Sequence, residues 1–144
     1  GRLMTIPCSE TLELIDDSYN ANPASLLAGA QVAIDMAQGE AWLVLGDLGE
    51  LGGDVAQAHA DLGAQLKAGG IRRLFTLGTQ SAHAAHVFNA GASSFSSIDE
   101  LLGALNDALA EADAEITLLV KGSRSSRMER VVQALSIQST TGDQ

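Results

Sequence analysis

Within eight positions, Asp16-Asp17-Ser18-Tyr19-Asn20-Ala21-Asn22-Pro23 gathers two carboxylates, a hydroxyl, a phenol ring and two amides. A carboxylate at a strand end can accept two hydrogen bonds from ribose hydroxyls or hold a hydrated cation, Tyr19 offers a stacking face, and Asn20 and Asn22 add amide donors. The same residue types also suit a structural task, since Asp17 and Asn22 can cap and tie a turn before Pro23. Spacing alone leaves these two readings even.

Two further stretches hold reactive side chains. In Gly46-Asp47-Leu48-Gly49-Glu50-Leu51-Gly52-Gly53, glycines allow close backbone approach, and Asp47 and Glu50 could meet an amine or a metal-bound water. A solvated flexible loop is the commoner explanation of such a stretch. His59, in the helix that follows, lies near Val55 and Leu62, where a lone histidine is more often a partly buried core residue than a catalyst. Lys121-Gly122-Ser123-Arg124 sets a cation and a hydroxyl at a strand end before a helix, which suits an anionic group, with Arg127 and Arg130 nearby. Ordinary pairing with carboxylates such as Glu129 explains those cations equally well. His83 and His86 read as surface residues.

No Gly-x-x-x-x-Gly-Lys-Ser/Thr occurs, and no Gly-x-Gly-x-x-Gly follows the first strand. The chain has no phosphate cradle of its own, so any ATP would need its triphosphate held by another domain.

The elements that must position these residues alternate. Leu3 to Ile6, stopped by Pro7, predicts a short edge strand, and Thr11 to Asp16 a strand ended by a polar cluster. Asn22 as N-cap and Pro23 at the first helical position open a helix with Leu26, Leu27, Ala30 and Ile34 on one stripe, closed by Gly39. Ala41 to Leu45 is the next strand. Val55 to Ala68 is a helix, capped by Asp54 with Gln57 and stopped by Gly69-Gly70. Leu74 to Leu77 is a strand, Ser81 to Phe88 a short helix, and Ser94-Phe95 a brief strand. Ser97-Ile98-Asp99-Glu100 then starts a helix carrying Leu101, Leu102, Leu105 and Leu109. Ile116 to Val120 is the last strand, Met128, Val131, Val132 and Leu135 stripe the last helix, and residues from Gln138 are expected to fray.

Repeated strand, loop and helix units predict an α/β, Rossmann-like, doubly wound and mostly parallel sheet of about six strands with helices on both faces. Ligands of such sheets bind outside the carboxyl ends of the strands. That rule selects the loops at Asp16 to Asn22, Gly46 to Gly53, Gly78 to Ser81 and Lys121 to Arg127.

Bulk properties agree with one such domain. A chain of 144 residues, 46% hydrophobic, can bury one sizeable core, and with only 3% aromatic residues that core must be aliphatic. A formal charge of -10 disfavours nucleic acid and anionic membranes. The single cysteine, Cys8, supports neither an internal disulfide nor a zinc site, and a reducing cytoplasm fits. No apolar run is long enough to cross a bilayer, and no metal site is expected in the chain itself.

Taken together, Gly1-Arg2-Leu3, Asp16 to Pro23, Leu45 to Gly52 with His59 and Gly63, and Val120-Lys121-Gly122-Ser123-Arg124 followed by Met128-Glu129 resemble, in this order, the C-terminal domain of the Mur ligases. The likeness covers nearly the whole chain and is strongest to the member that adds D-Ala-D-Ala to the UDP-MurNAc-tripeptide. It implies an ATP-dependent amide ligase of peptidoglycan synthesis, a cytoplasmic monomer, whose reaction runs through an acyl phosphate and a tetrahedral intermediate. It further implies an N-terminal domain holding the nucleotide-sugar, and a central domain holding ATP, Mg2+ and a carbamylated lysine. Residues 1–144 would be the third domain, with 1–10 ending the interdomain linker, inactive alone and swinging in to complete the site. By the same resemblance Asp17 would bind the ATP ribose, with Tyr19 and Asn20 against the nucleotide. Asn22, Asp47, Glu50, Ser123 and Arg124 would serve substrate, and His59 and Lys121 would be the candidates for facing the dipeptide or the developing charge.

Two other classes compete. Asp16-Asp17, Asp47, Thr79 and Lys121 superficially match a phosphoacceptor receiver, although Asp47 follows the second core strand and Lys121 precedes Gly. A non-catalytic Rossmann-type binding domain would leave the same loops free.

Overall fold

A computed structural model describes residues 4–18, 22–49 and 51–142, with side chains through residue 136. Six strands form one sheet: β1 (Met4–Pro7), β2 (Leu12–Asp17), β3 (Glu40–Gly46), β4 (Arg73–Leu77), β5 (Ala92–Phe95) and β6 (Ile116–Lys121). They lie in the order β1-β2-β6-β3-β4-β5, with β1 antiparallel at the edge and every other pair parallel. The helices are α1 (Pro23–Met36), α2 (Val55–Gly69), α3 (Ser81–Phe88), α4 (Ile98–Glu111) and α5 (Glu129–Gly142).

Local signals set the helix starts. Asn22 Oδ1 accepts from Ser25 N at 2.8 Å, Asp54 Oδ1 from Gln57 N at 3.0 Å, and Ser97 Oγ from Glu100 N at 3.1 Å, so α1, α2 and α4 each begin where the capping residue stands. At the other end of the chain α5 runs to Gly142.

Successive core-strand residues point to opposite faces. Leu14, Trp42, Val44, Leu118 and Val120 pack with α4 and α5, through Leu101, Leu105, Val131 and Leu135. Ile15, Leu43, Leu45, Leu74 and Leu119 pack with α1, α2 and α3, through Leu26, Ala30, Leu62 and Phe88. Both faces of the parallel strands are covered, which is why those strands read as unbroken apolar runs. Cys8 lies in the first of these clusters, where burial pushes its thiol up and a hydrogen bond with Ser136 partly opposes that shift.

The strand order excludes the receiver reading. In the flavodoxin-like order the first core strand sits between the second and third. Here the first core strand, β2, has β1 on one side and the last strand, β6, on the other. Among the described residues no helix is long and apolar enough to cross a membrane.

Candidate functional site

Right-handed crossovers send the helices after β2, β3 and β4 to one face and those after β5 and β6 to the other. Neighbouring strands whose following helices diverge leave a crevice at their carboxyl ends. This occurs on both sides of β6, against β2 and β3, and again between β4 and β5.

At the β2/β6 crevice, Asp17 and Lys121 are direct register partners. Lys121 is fully buried and its Nζ donates to Asp17 Oδ2, the one ion pair among the described residues. Asp17 is 5% exposed, and its Oδ1 and the Ser18 Oγ are enclosed with no hydrogen-bond partner among the described residues. Asp16 Oδ1 accepts from Ser18 N at 3.0 Å and closes the turn. Lys121 is thus enclosed, and its ammonium is paired with Asp17 inside the domain. Tyr19 and Asn20 lie outside the described residues. Asn22 caps α1, its side-chain oxygen accepting from Ser25 N and its own N–H donating to Ser25 Oγ at 3.4 Å.

At the β3/β6 crevice, the loops are tied to one another. Asp47 Oδ1 accepts from Ser81 N at 2.7 Å and Oδ2 from Gln80 N at 3.2 Å, so this carboxylate sits on the N-terminus of α3. Its backbone oxygen accepts from Ser123 N at 3.2 Å and Ser123 Oγ at 2.8 Å. Asp47 thereby links three strand ends, and Ser123 is a brace between β3 and β6 rather than a free hydroxyl. Room for this comes from glycines: a Cβ on Gly46 or Gly122 would stand 2.6 or 2.5 Å from Ser126 Oγ, against which the turn after β6 folds.

His59 is fully buried on the α2 face with Leu62 and Leu66. Its Nε2 accepts from Leu48 N at 3.1 Å, which leaves Nδ1 to carry the proton and donate to Val55 O at 2.8 Å. With both nitrogens engaged and no exposure, His59 holds the loop after β3 in place and is no proton shuttle. Glu50 lies outside the described residues. Arg124 is exposed on a single 3-10 turn (Arg124–Ser126). The alternative of pairing with Glu129 does not occur. His83 and His86 are exposed, as expected.

The β4/β5 crevice was not singled out by residue type. It opens into a cavity of about 320 Å³ lined by Asp47, Leu77, Gly78, Ile98 and Arg130, with the hydroxyls of Ser96, Ser125 and Ser126 at its walls. A larger cavity, about 480 Å³, lies at the opposite end of the sheet around Cys8 and Leu12, away from every loop discussed so far. The smaller one matters more here because it lies at the carboxyl ends of the strands. Arg130 entered the sequence reading only as a neighbour of Lys121. Its guanidinium is fixed by Nε donating to Arg127 O at 2.9 Å and Nη2 to Ser126 O at 3.2 Å.

Comparison with known proteins agrees with this arrangement. Residues 1–124 match the family model described as "Mur ligase, glutamate ligase domain". The UDP-N-acetylmuramoyl-tripeptide–D-alanyl-D-alanine ligase of Escherichia coli K12 is 43% identical over 135 residues, covering 94% of this chain and 29% of that protein. The Bacillus subtilis 168 ligase of the same name is 32% identical, covering 93% and 30%. A crystal structure of MurF from Acinetobacter baumannii superposes with a TM-score of 0.84 at 34% identity, covering 94% of this chain and 30% of that one. The chain thus spans about three tenths of the length of these relatives. Its sheet order, its tied carboxyl-end loops and the family match agree: the chain belongs to the Mur ligases, as their glutamate ligase domain.

Proposed function

We propose that this domain completes the active site of a cytoplasmic, monomeric, ATP-dependent ligase that joins D-Ala-D-Ala to UDP-MurNAc-tripeptide. The 43% identity to the E. coli ligase of that name carries the reading. Other domains of the ligase hold the nucleotide-sugar, the triphosphate and Mg2+. This fits a chain whose sequence carries no phosphate-cradling loop.

In such a reaction the tripeptide carboxylate is phosphorylated, and the dipeptide amine then attacks the acyl phosphate, so positioning and charge neutralisation dominate. The domain's part is to present rigid loops. Asp17 serves the ATP ribose through Oδ1, since Oδ2 is held by Lys121, and Ser18 Oγ is the neighbouring polar atom also left without a partner. Uncovering of these enclosed atoms accompanies nucleotide binding. Tyr19 and Asn20 lie against the nucleotide. Asp47, Glu50 and Arg124 are the candidates for serving the substrate.

The chain alone is expected to show negligible ATP turnover, and joining it to its own N-terminal and central domains to restore D-Ala-D-Ala-dependent phosphate release. Full ligation by the isolated domain would refute the reading. Asp17→Asn in the full-length ligase tests the ribose contact, because it keeps the side-chain shape beside Lys121 although not the charge, so its melting temperature is read alongside. It should raise KM for ATP and erase discrimination against 2′- and 3′-deoxy-ATP; unchanged values for both would remove Asp17 from the nucleotide site.

A further inference from the structure

The larger cavity, about 480 Å³, lies at the amino ends of the parallel strands, where Leu12 and Ile116, register partners that open β2 and β6, contribute to its lining. Its buried lining is continuous with the core. Cys8, Ile116 and Leu135 belong to the cluster packed with α4 and α5, and the half-buried Leu12, Leu109 and Ala112 lean on that same cluster. Core side chains thus stay open to a space within the usual size range of ligand pockets, about 300–1,000 Å³. Covering them with an aliphatic group is favourable.

The exposed part of the lining carries one sign of charge. Asp113 and Glu115 are exposed there, and no Lys, Arg or His is among the described lining residues. Helix α4 ends at the same place with no basic residue in its last turn, so the negative end of its dipole is left without a cation. The half-buried Asn106 and both carboxylates make no side-chain hydrogen bond or ion pair among the described residues, and all three keep acceptor oxygens free. An ammonium group supplies both the donors and the charge that this rim lacks; an anion would be repelled.

We propose that this cavity is a second binding site, for a small aliphatic ammonium compound. The hydrocarbon body lies against Cys8, Leu109 and Leu135, and the ammonium head is held at the rim by Asp113, Glu115 and the end of α4. The site is independent of the ligase reading, because Leu12 and Ile116 stand at the ends of β2 and β6 opposite to Asp17 and Lys121.

Calorimetric titration of the full-length ligase with n-alkylammonium chlorides, from butyl to heptyl, and with the matched primary alcohols and carboxylates tests the assignment. Each added methylene should tighten ammonium binding about fourfold until the cavity is filled. The ammonium should bind about two- to fivefold more tightly than the alcohol, and the carboxylate should not bind. Replacing both rim acids, Asp113→Asn with Glu115→Gln, should bring ammonium and alcohol to equal affinity while leaving the alcohol's own affinity unchanged. Ala112→Phe, which fills the cavity, should weaken ammonium and alcohol alike by about fifteenfold, the equivalent of two buried methylenes. Should Ala112→Phe lower the melting temperature, Ala110→Phe from the exposed side of the same lining supplies the second blocking variant. No binding of the ammonium series to wild type, affinity that does not depend on chain length, or binding unchanged in a folded blocking variant overturns the site. An ammonium preference that survives loss of both acids overturns the assignment of the head group. Each of these outcomes leaves the ligase reading standing.

Discussion

The carboxyl end of the sheet holds two acid–base couples with opposite fates. Asp17 and Lys121 sit in register on adjacent parallel strands, are almost wholly buried and pair with each other. Asp47 and Arg130 line one open cavity, lean on backbone partners and remain unpaired with each other. The residue types are nearly the same, and what differs is where the strands place them. A pair fixed by strand register lies inside the sheet's packing and closes on itself. A pair carried on loops at a crevice stays apart, and its unused hydrogen-bonding capacity faces the cavity. The two sites therefore teach that a charged residue at a strand end is not by itself a ligand contact.

The sharpest way to break this contrast is to remove one partner of the closed couple. Lys121→Met leaves Asp17 buried without a cation and should cost about 3–5 kcal/mol of stability, whereas an Asp17→Leu/Lys121→Met pair should recover most of that loss. Urea unfolding of both variants checks it. A single variant as stable as wild type would mean that the couple is not the closed structural unit described here.

The next largest effect belongs to the open couple. Gly78 has φ +120°, and a Cβ there would lie 2.4 Å from Asp47 Oδ1. Gly78→Ala should cost roughly 1–3 kcal/mol from backbone strain alone, and it should also push Asp47 off the N-terminus of α3. The expected outcome is a lower melting temperature together with a raised KM for the dipeptide in the full-length ligase. A stability loss with no change in KM would detach Asp47 from substrate binding.

How much of this was visible in the chain follows from sequence distance. The caps at Asn22, Asp54 and Ser97 each act three residues ahead, and periodicity within one element marks the helix stripes and strand runs, so elements and fold class were legible. The site residues are joined over long separations instead: Asp17 to Lys121 across 104 positions, Asp47 to Ser81 across 34, Ser123 to Asp47 across 76. No local rule sees such contacts. Hence the pairing of Lys121 with Asp17 could not be read from the chain, whereas the buried setting of His59 could; the cavity beside Arg130 had no motif to announce it. For Asn22 the cap signal was present three residues from its partner, and the cap forms. The Gly46 and Gly122 pair also carried a signal, since glycines flanking two strand ends permit a turn to fold close over both.

Between the two couples lie the braces, and they sharpen the comparison at smaller cost. His59→Ala deprives the Leu48 N–H of its buried acceptor and should lose about 1–3 kcal/mol, the penalty of an unsatisfied buried donor, plus packing on the α2 face. If His59 were instead a catalyst, kcat would collapse in a well-folded variant. As a brace, stability should fall first, and kcat should recover at low temperature where the loop stays seated.

Ser123→Ala gives the smallest effect and tests the link between the couples most directly. Ser123 Oγ donates to Asp47 O, but Ser123 N reaches the same oxygen, so deleting the hydroxyl removes one of two ties. A net loss of about 1 kcal/mol is expected, typical of one neutral hydrogen bond. Because Ser123 lies two residues beyond Lys121, the last residue of β6, the same variant asks whether the closed couple feels changes in the open one. If the sites are independent, the costs of Ser123→Ala and Lys121→Met should add to within about 0.5 kcal/mol. A larger coupling would mean that the β6 end moves as one piece, so that a change beside Asp47 would also be felt at Asp17.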